Sequence, residues 1–146
     1  MSNNTSNLRF DIAPFAGAGP LRFGMRHSEV RSLLGDKFSV HKKGPDAFDA
    51  YSELDLHLYY DAEGQLEFIE GFGSCPIYYQ DVSSLRRDAQ DVLKALAQLG
   101  LTSRHENQLY MFDDGGFALY VPDDIVLAVS VFRRGYYDEP PTVPGQ

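Results

Sequence analysis

The chain contains no tryptophan and one cysteine, Cys75. A single cysteine excludes an internal disulfide framework and a cysteine-rich zinc site. It fits a reducing compartment such as the cytoplasm. Long apolar runs are also missing: the longest, residues 125–132, is strand-sized and far short of the ~18 residues that span a bilayer. The first seven residues, MSNNTSN, lack the basic start and apolar stretch of a signal peptide. The expectation is a soluble cytoplasmic protein with no membrane partner. Positive charge is scarce, with 13 Lys and Arg against 21 Asp and Glu in 146 residues, a formal net charge of −8. A nucleic-acid binder would carry a basic stripe, so nucleic acid is an unsuitable partner and a basic protein a suitable one.

Catalytic patterns are absent as well. Gly17 with Gly19, and Gly71 with Gly73, lack the third glycine and the lysine of a phosphate loop, and read as turn glycines. The four histidines, His27, His41, His57 and His105, form no i, i+4 pair, so no metal site is predicted. His57 lies two residues from Asp55 on the polar side of a strand, where an ordinary exposed histidine is the simpler reading. Cys75 precedes Pro76 and has no activating base nearby in sequence. Carboxylate pairs such as Glu67 with Glu70, Asp113 with Asp114 and Asp123 with Asp124 read as acidic turns and faces. The prediction is a protein that is not an enzyme, with no catalytic residues and no cofactor.

What is present is a globular composition: 43% hydrophobic and 13% aromatic residues, enough for one domain over residues 1–146. Residues 1–20 read as a loop-like arm punctuated by Pro14, Gly17, Gly19 and Pro20. Residues 138–146, with Pro140, Pro141 and Pro144, read as an extended or disordered tail. A short helix is predicted over 25–34, ended by Gly35, with Arg26 or Ser28 at its start. Strands are predicted at 38–41 and 52–60, the latter with Leu54, Leu56, Leu58 and Tyr60 on one face. A turn over 61–64 leads to a returning strand over 65–72, with Leu66 and Phe68 facing inward. Val82, Leu85, Ala89, Val92, Leu96 and Leu99 then recur at helical spacing, predicting a helix of about five turns, started by Asp81 or Ser83 and ended by Gly100. Three strand-like runs follow at 108–112, 117–121 and 125–132, joined by turns at 113–116 and 122–124.

Both halves therefore show a helix ended by glycine and then about three strands. This predicts an α+β fold in which two α-β-β-β units in tandem build one antiparallel sheet of about six strands, with two helices on one face. Residues 46–61 hold five acids among Phe48, Tyr51, Tyr59 and Tyr60, with no lysine or arginine. Glu63, Glu67 and Glu70 extend the acidic run. Carboxylates beside aromatic rings suit a basic partner, since charge steers the encounter and rings supply contact energy. The predicted partner-binding residues are Asp46, Asp49, Tyr51, Glu53, Asp55, His57, Tyr59 and Glu67.

The runs GPLRFGMRHSEVRSLLG at 19–35 and LHLYYDAEGQLEFIE at 56–70 resemble small bacterial proteins encoded beside polymorphic or contact-dependent toxins. The helix-then-strands repeat is similar to the arrangement of β-lactamase inhibitory protein, in which two units form one concave sheet. The resemblance implies a cytoplasmic immunity protein that occludes the active site of one cognate, basic toxin domain, as a monomer or homodimer. It assigns no binding residue, because immunity proteins of one fold use different surfaces. Two other readings remain open at this point: a homodimerising structural module, and a small ligand-binding protein or enzyme with a pocket between helices and sheet.

Overall fold

The computed structural model describes residues 8–43 and 46–137, except for the side chains of residues 42, 43, 46 and 47. The predicted tail at 138–146 lies outside the described residues. The first half runs β1 (Phe10–Ala13), β2 (Gly17–Ala18), β3 (Leu21–Arg22), α1 (His27–Leu34), β4 (Ser39–Lys43), β5 (Asp46–Tyr51), β6 (Leu56–Tyr60) and β7 (Leu66–Phe72). The second runs β8 (Ile77–Tyr79), β9 (Val82–Ser83), α2 (Ala89–Gln98), β10 (Arg104–Glu106), β11 (Leu109–Phe112), β12 (Phe117–Tyr120) and β13 (Ala128–Phe132).

The α+β class and the largely antiparallel pairing agree with the sequence prediction, but the strand count does not. In place of one sheet of about six strands, the described residues form an eight-stranded sheet ordered β10-β11-β12-β13-β7-β6-β5-β4 and a five-stranded sheet ordered β3-β2-β1-β8-β9. Each helix precedes a four-strand meander, and β13 pairs with β7 to join the two meanders. The extra strands come from segments whose partners are distant in sequence. β1 falls inside the predicted loop-like arm yet pairs in parallel with β8, Phe10 opposite Ile77. Its Phe10 N–H donates to the Pro76 carbonyl at 2.8 Å.

Local chemistry sets the helix ends. In α1 the Arg26 N–H donates to the Glu29 carboxylate at 3.0 Å, and Gly35 at φ +92° closes the last turn onto Arg31 O. Val30 and Leu34, four apart, form its buried stripe. Helix α2 is shorter than the five turns predicted. Arg86 adopts φ +64°, and its N–H donates to Val126 O at 2.8 Å, so backbone pairing with residues 124–126 outcompetes an early helical start. Asp88 then accepts the N–H groups of Gln90 and Asp91 at 3.0 and 3.3 Å, capping the helix there.

One buried cluster contains Val30 and Leu34 of α1, Val92 and Leu96 of α2, Phe10 and Ile77 of the small sheet, and Leu58, Leu119 and Val131 of the large sheet. The helices and the small sheet thus share a core with one face of the large sheet, here termed its inner face. The opposite, outer face carries a second, smaller cluster built on Met111, Ala118 and Phe132. No helix among the described residues is long and apolar enough to cross a membrane.

Candidate functional site

The pleat divides the predicted binding residues between the two faces. On β5, Asp49 lies opposite Leu58 and Tyr51 opposite Leu56, so both point inward, and each is only 2% exposed. On β6, His57 and Tyr59 point outward, opposite Ala50 and Phe48. Glu53 sits on the exposed turn Ser52–Leu54, which replaces the start of the predicted strand, with its carboxylate 3.7 Å from Lys37. Asp55 takes a left-handed conformation (φ +52°) and accepts the Ser74 N–H at 2.8 Å. The Asp46 side chain lies outside the described residues. Glu67 is bound to Arg133 at 3.2 Å. The eight predicted residues therefore do not form one surface.

A register shift explains a further difference. Pairing along β6 and β7 passes from Tyr59 with Phe68 to Tyr60 with Leu66, skipping Glu67. The extra residue reverses the alternation, so Leu66 stays in the core while Phe68 turns outward, against the prediction that both face inward.

Asp49 organises the inner side. Its carboxylate accepts three hydrogen bonds from the Arg31 guanidinium of α1 and one from the Tyr60 hydroxyl, at 3.1 to 3.3 Å. Arg31 lies 4.2 Å over the Phe38 ring, and His27 stacks on Tyr60 at 3.8 Å. This cluster ties α1 to β5 and β6. The Tyr51 hydroxyl beside it is buried and meets no hydrogen-bond partner among the described residues. Burial, reinforced by Asp49, pushes the Tyr51 pKa up to about 12, and burial raises that of Tyr60 as well. Both hydroxyls are neutral below the ordinary tyrosine value of ~10, so their folded and unfolded forms then bind the same protons. Above that pH the unfolded chain releases protons that the folded chain keeps, and stability should fall from about pH 10 upward. Absorbance at 295 nm should show two of the nine tyrosines ionising only with unfolding; smooth titration of all nine near the ordinary value would contradict the burial.

The outer face carries a feature that no single segment revealed. His41 of β4 stacks on Phe48 of β5 with centroids 5.1 Å apart. Phe48 meets His57 and Tyr59 of β6 at 4.7 and 4.9 Å. His57 leads to Phe72 of β7 at 4.7 Å, and Tyr59 to Phe68 of β7 at 5.4 Å, both edge-on. Beyond β7, Phe68 meets Tyr136, Tyr136 meets Tyr137, and Tyr137 meets Phe132 of β13, each at 4.9 Å. Phe15, from the turn between β1 and β2, reaches Phe132 at 6.2 Å. Edge and offset contacts of this kind add about 0.5–1.5 kcal/mol each beyond burial.

Polar groups interrupt the rings at few places. Glu70 projects outward from β7 between Phe68 and Phe72, opposite Ser130. Its carboxylate lies 3.5 Å from His57 Nδ1, with both side chains about 30% exposed. Tyr137 is half-exposed, and partial burial together with the nearby Glu70 carboxylate raises the pKa of its hydroxyl. At the β10 end, an open cavity of about 200 Å³ is lined by Arg104, Glu106, Asn107, Leu109, Met111 and Tyr137. Arg104 is held there by Asp113 at 2.7 Å and by Glu106.

Among the described residues, no group of three or more His, Cys, Asp or Glu side chains is placed to hold a metal ion. Cys75 is buried against Gly71, and burial, with a smaller contribution from Asp55, pushes its thiol up to about 12, away from the reactive thiolate. The outer face offers ring surfaces, a central carboxylate and a small cavity. Sequence reading placed His57 and Tyr59 on it but missed Phe68, Phe72, Phe132, Tyr136 and Tyr137. Phe132 shares the parity of Ala128 and Ser130, a signal that could have placed it outward, and the register shift concealed Phe68. Comparison with protein-family models, curated proteins and solved structures finds no match to this chain.

Proposed function

We propose that this protein is a cytoplasmic immunity protein, which uses the outer face of its large sheet to bind and occlude the active site of one cognate, basic toxin domain. The observation that carries the reading is the band of half-buried rings crossing that face, interrupted by Glu70 and bordered by the cavity beside Tyr137. Rings preset by packing lose little freedom on binding and supply most of the energy at protein interfaces. The cavity suits one anchoring side chain of the partner. The net charge of −8 steers a cationic partner towards the molecule before contact. Antiparallel strands hold the face rigid, so occlusion needs no ordering step.

The test is co-expression with the toxin domain encoded by the adjacent gene, scored by growth rescue and by formation of a 1:1 complex. The variant Phe48→Ala/Tyr59→Ala should release the purified toxin at least tenfold faster while its far-ultraviolet spectrum stays unchanged. Association should slow as salt is raised. Absence of rescue, or a complex indifferent to that variant, would refute the reading. Assembly of the purified chain into a dimer lost in the same variant would instead favour the homodimerising module.

A further inference from the structure

We propose that Glu70 and its surrounding rings form a seat for a guanidinium group, so that the partner inserts one arginine side chain at the centre of the outer face. This rests on the reading of that face as the partner-binding surface and specifies the chemistry at its centre. Three observations lead to it.

Glu70 is a carboxylate placed among rings. Phe68 and Phe72 flank it along β7, and His57 faces it from β6. Among the described residues its ionic contact is His57, which is charged only when protonated. A carboxylate there gains most from a cation that can also lie against rings.

The same surroundings show how this fold holds guanidinium groups. Arg133 pairs with the Glu67 carboxylate at 3.2 Å, and its guanidinium lies 5.9 Å from the Tyr136 ring centre. Arg134 lies 4.2 Å over Phe15. Ring plus carboxylate is thus satisfied from within the chain at Glu67, three residues before Glu70 on the same strand. At Glu70 the rings and carboxylate recur, and the chain places no arginine of its own within ion-pairing distance among the described residues.

Shape favours arginine over lysine. A planar guanidinium can stack on Phe68 or Phe72 while its edge donates to Glu70, whereas an ammonium is a compact, strongly hydrated charge. The opposing residue on β13 is Ser130, and the Glu70 side chain keeps about 30% of its surface open to a partner.

The probe is the capped tripeptide Gly-Arg-Gly, titrated into the full-length protein and followed by two-dimensional NMR, with the citrulline tripeptide as the uncharged control of equal shape. Saturable shifts should centre on Glu70, Phe68, Phe72 and His57 with the arginine peptide and be absent with citrulline. Glu70→Gln should weaken the arginine peptide at least tenfold, and Asp91→Asn, on α2 away from this face, should leave it unchanged. Equal shifts with both peptides, or no effect of Glu70→Gln, would overturn the inference. Shifts at the same positions on concentrating the protein alone would overturn it in favour of a second copy. Toxin protection lost in Phe48→Ala/Tyr59→Ala but kept in Glu70→Gln would remove the arginine seat and leave the proposed function standing.

Discussion

Replacing Phe117 by alanine should lower the unfolding free energy by about 4 kcal/mol, within the 3–5 kcal/mol typical of buried Phe→Ala changes. Phe117 is 1% exposed and stacks on Phe112 of β11 with centroids 4.8 Å apart. Tyr79 of β8 lies 5.3 Å away. The ring is therefore one of the contacts that join the two sheets, and its loss leaves a cavity between them. Phe112 and Tyr79 belong to ladders fixed by their own hydrogen bonds, so collapse into the space is limited. Since a domain of this size is stable by about 5–15 kcal/mol, the loss is a large share of the total. Urea unfolding, with the slope held equal to that of the parent, measures it. A loss under about 1.5 kcal/mol would show that the sheets do not depend on this contact. Tyr120→Ala, on an exposed position of the same strand, serves as the control and should cost little.

Replacing Arg31 by methionine should cost about 3 kcal/mol, more than replacing its partner. Asp49 is 2% exposed, whereas the Arg31 side chain is 35% exposed. Removing the arginine strands a buried carboxylate with only the Tyr60 hydroxyl as donor, and an uncompensated buried charge is the expensive outcome. Asp49→Asn keeps an acceptor for Tyr60 and leaves Arg31 able to turn to water, so it should cost roughly half as much. The double variant Arg31→Met/Asp49→Leu should be more stable than Arg31→Met alone, because the stranded charge has gone. Thermal or urea unfolding of the three variants gives the order. A double variant less stable than Arg31→Met would mean that Asp49 contributes chiefly by packing.

Much of the architecture was legible because it is local. The spacing of Ala89, Val92 and Leu96 marks α2, and the turns ending at Gly64 and Gly116 mark two hairpins. Val129 and Val131 alternate with Ala128 and Ser130 as a strand with a buried face requires. The misreadings share a different cause. Phe10 belongs to a strand because of Ile77, and nothing near Phe10 encodes that pairing. Asp49 looks like a surface acid until Arg31, on another element, neutralises it. Phe68 changes face through one extra residue in the register, Glu67, that composition cannot reveal. The candidate site was the least legible part. Its rings come from five strands, a turn and the segment after β13, and each ring alone reads as an ordinary aromatic residue of a half-buried strand.

The seam between β7 and β13 has a consequence for biosynthesis. Until the ribosome has released residues 128–132, the β7 strand of the nascent chain has an open hydrogen-bonding edge on the side that β13 will fill. That strand carries Phe68, Ile69 and Phe72, and an open edge with such side chains recruits strands from other chains. Chains truncated before residue 128 should therefore aggregate more readily than the full chain.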